Sequence, residues 1–156
     1  MDLFKAETLA NELMKQHNLI ASGWRFSFDN AKRRFGACNY DLKKISLSHH
    51  LVKLNDESQV RNTILHEIAH ALVGFKHGHN AVWRAKAIEI GCDGNRCYSS
   101  EVTKPEPRYI GVCPNGHTHR RHKKPNLMQF ESCGMCCNTF NSDYLIKWSI
   151  NTNLTK

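Results

Sequence analysis

His66, Glu67 and His70 stand in the order His-Glu-x-x-His. In a helix, residues four apart share a face, so His66 and His70 can turn two imidazoles toward one metal ion. Glu67, one position round, can take a proton from a water activated by that ion, the division of labour in zinc-dependent peptide hydrolysis. The motif also arises by chance on charged surface helices. Here Val60, Ile64, Leu65, Ile68, Ala69, Leu72 and Val73 recur around it at helical spacing and form an apolar stripe. Polar groups in the middle of such a helix are costly unless they are paired or ligated.

Two histidines leave a catalytic zinc one protein ligand short, because such sites take three and keep one position open. His77 and His79 are the candidates, both where the chain turns back after the helix. The longer metzincin spacing is missed, since it needs glycine at 73 and histidine at 76 where the chain has Val73 and Lys76. His79 is favoured locally: it opens the next helix, in which Trp83 one turn later can pack against the motif helix. Tyr40, His49 and His50 are candidates for a second oxyanion donor, with a structural or solvent role the plainer reading of each.

A second constellation follows. Cys113, His117, Cys133 and Cys136 read C-x3-H-x15-C-x2-C, and two thiolates on the tight Gly134-containing turn can reach one ion. His119 is a rival fourth ligand, and Cys137 could replace Cys136. Cys38, Cys92 and Cys97 read as small apolar side chains rather than ligands. Between the paired loops lies His119-Arg120-Arg121-His122-Lys123-Lys124, a run whose cations Arg120, Arg121, Lys123 and Lys124 suit a phosphate backbone better than base-specific reading. Tyr109, Phe130 and Phe140 could stack on exposed bases, although packing is the plainer use of each.

The elements that must position these groups are legible. Asp2 to Gln16 reads as a helix with Leu3, Phe4, Leu9, Ala10, Leu13 and Met14 inward. Trp24 to Phe28, Arg33 to Tyr40 and Lys44 to Leu47 read as short strands of a small antiparallel sheet, with Trp24, Phe26 and Phe28 as core. Ser48 to Lys53 reads as a short helical turn. The motif helix runs from about Glu57 to Val73, capped by Asn55 or Asp56 and stopped by Gly74. Asn80 to Ile90 is a further helix, its apolar side made by Ala81, Trp83, Ala87, Ile88 and Ile90. The Ser99–Pro107 stretch reads as a loop or hinge, dividing a core of residues 1–103 from a basic subdomain of residues 104–156. Beyond it Val112, Leu127, Met128, Phe130, Met135, Phe140, Leu145, Ile146 and Trp148 make a thin core that needs a staple. The fold class expected is α+β: a small antiparallel sheet on helices, a minimal zincin-like core, followed by a zinc-stapled β-rich module.

The chain has 156 residues and a net charge of +8. The charge is uneven: residues 104–156 hold 8 Lys and Arg against 3 Asp and Glu, while residues 1–103 hold 14 against 11. A basic end of this kind points to a polyanion, nucleic acid before an acidic membrane. No stretch reads as a secretory signal or a membrane span, which argues for an intracellular protein and against a membrane partner. Seven cysteines, an odd number, then argue for metal ligation rather than disulfides.

The chain resembles the SprT-like metallopeptidases, the family of the Spartan-like DNA–protein crosslink proteases. The resemblance covers nearly the whole chain. It is carried by Asn30, the basic stretch Lys32-Arg33-Arg34, Gly36 and Cys38, by Lys44-Ile45-Ser46-Leu47-Ser48, by His66-Glu67-Ile68-Ala69-His70-Ala71, and by Gly78-His79 with Trp83 four residues on. It implies His79 as the third zinc ligand, although Asn80 stands where glycine is usual. It implies a C-terminal zinc module as well, with His117 departing from the usual paired cysteine. It further implies a DNA-associated zinc endopeptidase acting on proteins bound or crosslinked to DNA, with DNA of single-stranded character as partner. One catalytic and one structural Zn2+, a monomer, and a cytoplasmic, nucleoid-associated or nuclear setting complete the expectation. A catalytically idle nucleic-acid-binding adaptor is the alternative, and a general peptidase using the basic run to hold acidic protein is a third.

Overall fold

The computed structural model describes residues 1–97, 102–126 and 128–152. They fall into two compact units, Met1–Pro105 and Glu106–Lys156. Ser99 and Ser100 of the expected hinge, and Leu127 of the expected second core, lie outside the described residues.

In the first unit, helix α1 (Leu3–Gln16) starts at Asp2, whose side chain accepts the Lys5 amide at 3.1 Å. An oxygen there satisfies a donor that a helix start leaves over. Ala6, Ala10, Leu13 and Met14 are buried, but Phe4 is 77% exposed and belongs to the outer side, contrary to its expected inward place.

Strands β1 (Arg25–Asp29), β2 (Gly36–Asn39) and β3 (Lys44–Ser48) form one sheet in the order β1-β3-β2. The sheet is mixed, which corrects the antiparallel expectation: β2 runs antiparallel to β3, but β1 runs parallel to it. The reason lies in β3. Ile45, Ser46, Leu47 and Ser48 are all buried, so both faces of β3 are covered and it takes the central place. Its serines are tolerated there because Ser46 Oγ donates to Asp29 Oδ2 at 2.9 Å and Ser48 Oγ donates to the Ala31 carbonyl. The chain from β1 to β2 passes β3 by, which leaves β1 on the far edge in the same direction as β3.

Ser48 caps α2 (His49–Leu54), and Asp56 caps α3 (Glu57–Val73), its carboxylate accepting the Gln59 amide at 2.9 Å. Gly74 ends α3 with φ +84°, a backbone state that favours glycine. A 3-10 turn over Phe75–His77 leads to α4 (Ala81–Glu89), whose cap Asn80 accepts the amides of Val82 and Trp83 at 3.0 and 3.2 Å. The buried core joins α1, β3, α2 and α3 to Trp83 and Ala87 of α4. Leu72 and Ile88, expected inward, are exposed.

In the second unit β4 (Tyr109–Val112), β5 (Thr118–Arg121) and β6 (Lys147–Ile150) form an antiparallel sheet in the order β5-β4-β6. Its core is thinner than the sequence suggested: Val112, Met128, Phe130, Met135 and Phe140 are all exposed. The burial falls instead on Cys113 and Cys133.

Candidate metal centres

Helix α3 places His66 and His70 one turn apart, and the start of α4 returns His79 to them. The three Nε2 atoms lie 3.0 Å (His66–His79), 3.0 Å (His70–His79) and 3.3 Å (His66–His70) apart. A tetrahedral site with Zn–N bonds of 2.0–2.1 Å has edges of roughly 3.3–3.4 Å, so the donor set fits one zinc ion. Trp83, 1% exposed, is the common wall: its ring contacts His66, His79 and His70 at centroid distances of 4.7, 4.6 and 5.1 Å, stacked on the last. His77 is not in this cluster, and its Nδ1 faces Asn80 Nδ2 at 3.4 Å. Burial and the neighbouring imidazoles push His66 and His70 down to about 4, and burial followed by Arg96 lowers His79. All three are therefore neutral at pH 7, the state a metal needs.

Glu67 is 7% exposed, and burial pushes its carboxyl up to about 8 against the opposing pull of Arg34. A cleft of about 700 Å³ opens over these groups, lined also by Gly36, Cys38, Tyr40, Phe75 and Arg96. The Tyr40 hydroxyl donates to the His70 carbonyl at 3.2 Å. Burial, with Glu67 adding to it, pushes the Cys38 thiol up to about 12, so it stays protonated. Burial and Cys38 hold Tyr40 at about 12 as well. Gly36 and Cys38 were legible only as words of a family pattern. The physical signal was their alternation with Tyr40, which puts positions 36, 38 and 40 on one side of the strand. His49 and His50 do not line the cleft; His49 Nδ1 lies 3.0 Å from the Asp29 carbonyl.

In the second unit Cys113, His117, Cys133 and Cys136 bring one donor atom each within 4.8 Å of all the others. Cys113 Sγ lies 3.8 Å from Cys136 Sγ, and His117 Nδ1 lies 3.6 Å from Cys113 Sγ, 3.6 Å from Cys133 Sγ and 3.2 Å from Cys136 Sγ. Zinc bonds of 2.3 Å to sulfur and about 2.05 Å to nitrogen predict edges of roughly 3.8 and 3.6 Å, and the quartet fits a closed Cys3His site. His119 stands outside the quartet, with Nε2 3.2 Å from Cys133 Sγ, where an N–H would orient that thiolate. Cys137 points to Thr139 Oγ1 at 3.4 Å. Cys92 is buried, whereas Cys97 is exposed and lines the cleft of the first unit, unlike the small buried side chain expected.

The four cations of the basic run have different surroundings. Arg121 donates to Glu131 Oε1 at 2.8 Å, and its guanidinium sits 4.4 Å over the Trp148 ring. Both contacts tie it to its own unit. Arg120 makes a loose, exposed pair with Glu106 at 3.6 Å, and Lys123 and Lys124 are exposed. Phe130 and Phe140, expected to pack, present their rings to solvent.

Among the described residues no helix is long and apolar enough to cross a membrane. A model of the SprT-like family matches residues 6–104, the stretch that holds both the histidine cluster and Glu67. A search of curated proteins finds no match.

Proposed function

The chain belongs to the SprT-like family, and on that premise we propose that it is a zinc-dependent endopeptidase hydrolysing proteins bound or crosslinked to DNA. The observation that carries the reading is the meeting of His66, His70 and His79 at 3.0–3.3 Å beside buried Glu67 under an open cleft. When bound there, zinc supplies the Lewis acid that acidifies a water and polarises the scissile carbonyl. The chain's own residues do the rest. Trp83 fixes the imidazole rings, and the Tyr40 bond to the His70 carbonyl ties the end of α3 to the turn that follows β2. Glu67, buried beside the imidazoles, takes the proton of the attacking water and returns it to the leaving amine. In the second unit, a Cys3His zinc would supply folding energy where apolar burial is scarce.

The DNA partner is supported by the basic balance of residues 104–156 and by the solvent-facing Arg120, Lys123 and Lys124. Exposed rings at Phe130 and Phe140 favour strands with unpaired bases, on which they can stack. The test is cleavage of a DNA-bound protein by the zinc-loaded chain, with and without DNA, beside Glu67→Gln. DNA-dependent cleavage by the parent and a loss of about 100-fold or more in the variant is the expected result. Equal cleavage without DNA would indicate a general peptidase. DNA binding with no cleavage would indicate the idle adaptor.

A further inference from the structure

Strand β2 is an edge strand laid against α3, and its residue 36 meets the helix at Glu67. A methyl group added at Gly36 would stand 2.6 Å from Glu67 Oε1, 2.8 Å from its Cγ and 3.1 Å from its Cδ. Carbon atoms in good contact sit roughly 3.5–4.0 Å apart, so the methyl and the carboxylate cannot share this space. The three nearest atoms all belong to Glu67, so this side chain is the first obstacle the methyl meets. Gly36 also lies within regular strand, in register with Leu47, where alanine is conformationally at ease. Nothing in the backbone there calls for glycine.

We infer that Gly36 is the positioning residue for the Glu67 carboxylate: its missing side chain is the slot in which that carboxylate stands beside the imidazoles. Cys38 and Tyr40 follow on the same side of the strand, the first close enough to Glu67 to feel its charge and the second bonded to the His70 carbonyl. β2 and the residue that follows it thus bear on α3 at the carboxylate and again at the last ligand of the helix. A side chain at 36 has one easy outlet, which is to turn Glu67 away; the fold and the three imidazoles need not move. The inference rests on the proposed role of Glu67 as base, but the contact at its centre does not.

The test is a double-mutant cycle on the full chain: parent, Gly36→Ala, Glu67→Ala and the pair. In metal-free protein, Gly36→Ala should lower the Tm by about 4 °C or more when Glu67 is present. In the Glu67→Ala background, where this first obstacle is gone, it should leave the Tm unchanged or raise it. With zinc bound, Gly36→Ala should reduce kcat about 100-fold while KM stays within about threefold, as for a displaced reacting group. The zinc content of the histidine site should be unchanged. An equal Tm loss in both backgrounds would overturn the inference, because glycine would then serve the strand and not the carboxylate. A parental kcat in Gly36→Ala would overturn it too. Coupled melting temperatures in a parent that cleaves nothing would remove the peptidase reading, yet leave Gly36 as the residue that places this carboxylate.

Discussion

An imidazole packed against two others resists a proton. His66 and His70 are held near 4, so between pH 6.5 and about 4 the unfolded chain binds protons that the folded chain does not. Stability from this pair is whole above pH 6.5 and lost as pH falls through that window. Glu67 acts in the opposite sense. Its carboxyl is raised to about 8 from an ordinary 4.5, so on acidification the folded chain binds the proton first and gains stability across that range. The two effects overlap only below 6.5, where two imidazoles outweigh one carboxylate. From these groups, the Tm of the metal-free protein should climb from pH 8 to about 6.5 and then fall toward 4.5. Glu67→Gln should abolish the climb and keep the fall, as thermal melts across that range would show. A Tm that rises steadily to pH 4.5 would mean that the imidazoles are not buried together.

At the scale of elements, what was legible in the sequence was what local chemistry dictates. Asp56, Gly74 and Asn80 bracket their helices because caps answer to the nearest few residues. The pairing of β1 with β3 was not legible, since a five-residue strand carries no mark of which neighbour it will take. The Cys3His quartet could be read from spacing, because each pair of ligands shares one short loop. The role of Arg121 could not. Nothing local joins it to Trp148 of β6 or to Glu131, so the two partners that set it apart from its neighbours in the basic run carry no mark in the sequence. The two kinds of cation should separate by experiment. Replacing Lys123 and Lys124 by alanine should lower the slope of log K against log salt for DNA by up to about 0.9 for each phosphate these lysines neutralise. Arg121→Ala should leave that slope alone and destabilise the second unit by about 1 kcal/mol, read in chemical unfolding of zinc-loaded protein. A slope that changes with Arg121 and not with the lysines would reverse the assignment.

At the scale of the molecule, the two units differ in what keeps them folded. The buried apolar cluster, from Ala6 to Val102, lies wholly in Met1–Pro105. Glu106–Lys156 has Cys113 and Cys133 at its centre instead. A strong chelator should therefore leave a protease-resistant fragment ending near residue 105, whereas zinc-loaded protein should resist digestion over both units. Digestion of both units alike after chelation would show that the first also depends on its metal. Gly36 has a consequence of another kind. Every missense change of a glycine codon adds a side chain, so a lineage has no conservative step open to it at this position. In a saturation-mutagenesis screen for activity, a residue with no functional group should tolerate as little as Glu67, and an empty space would be inherited as strictly as a base.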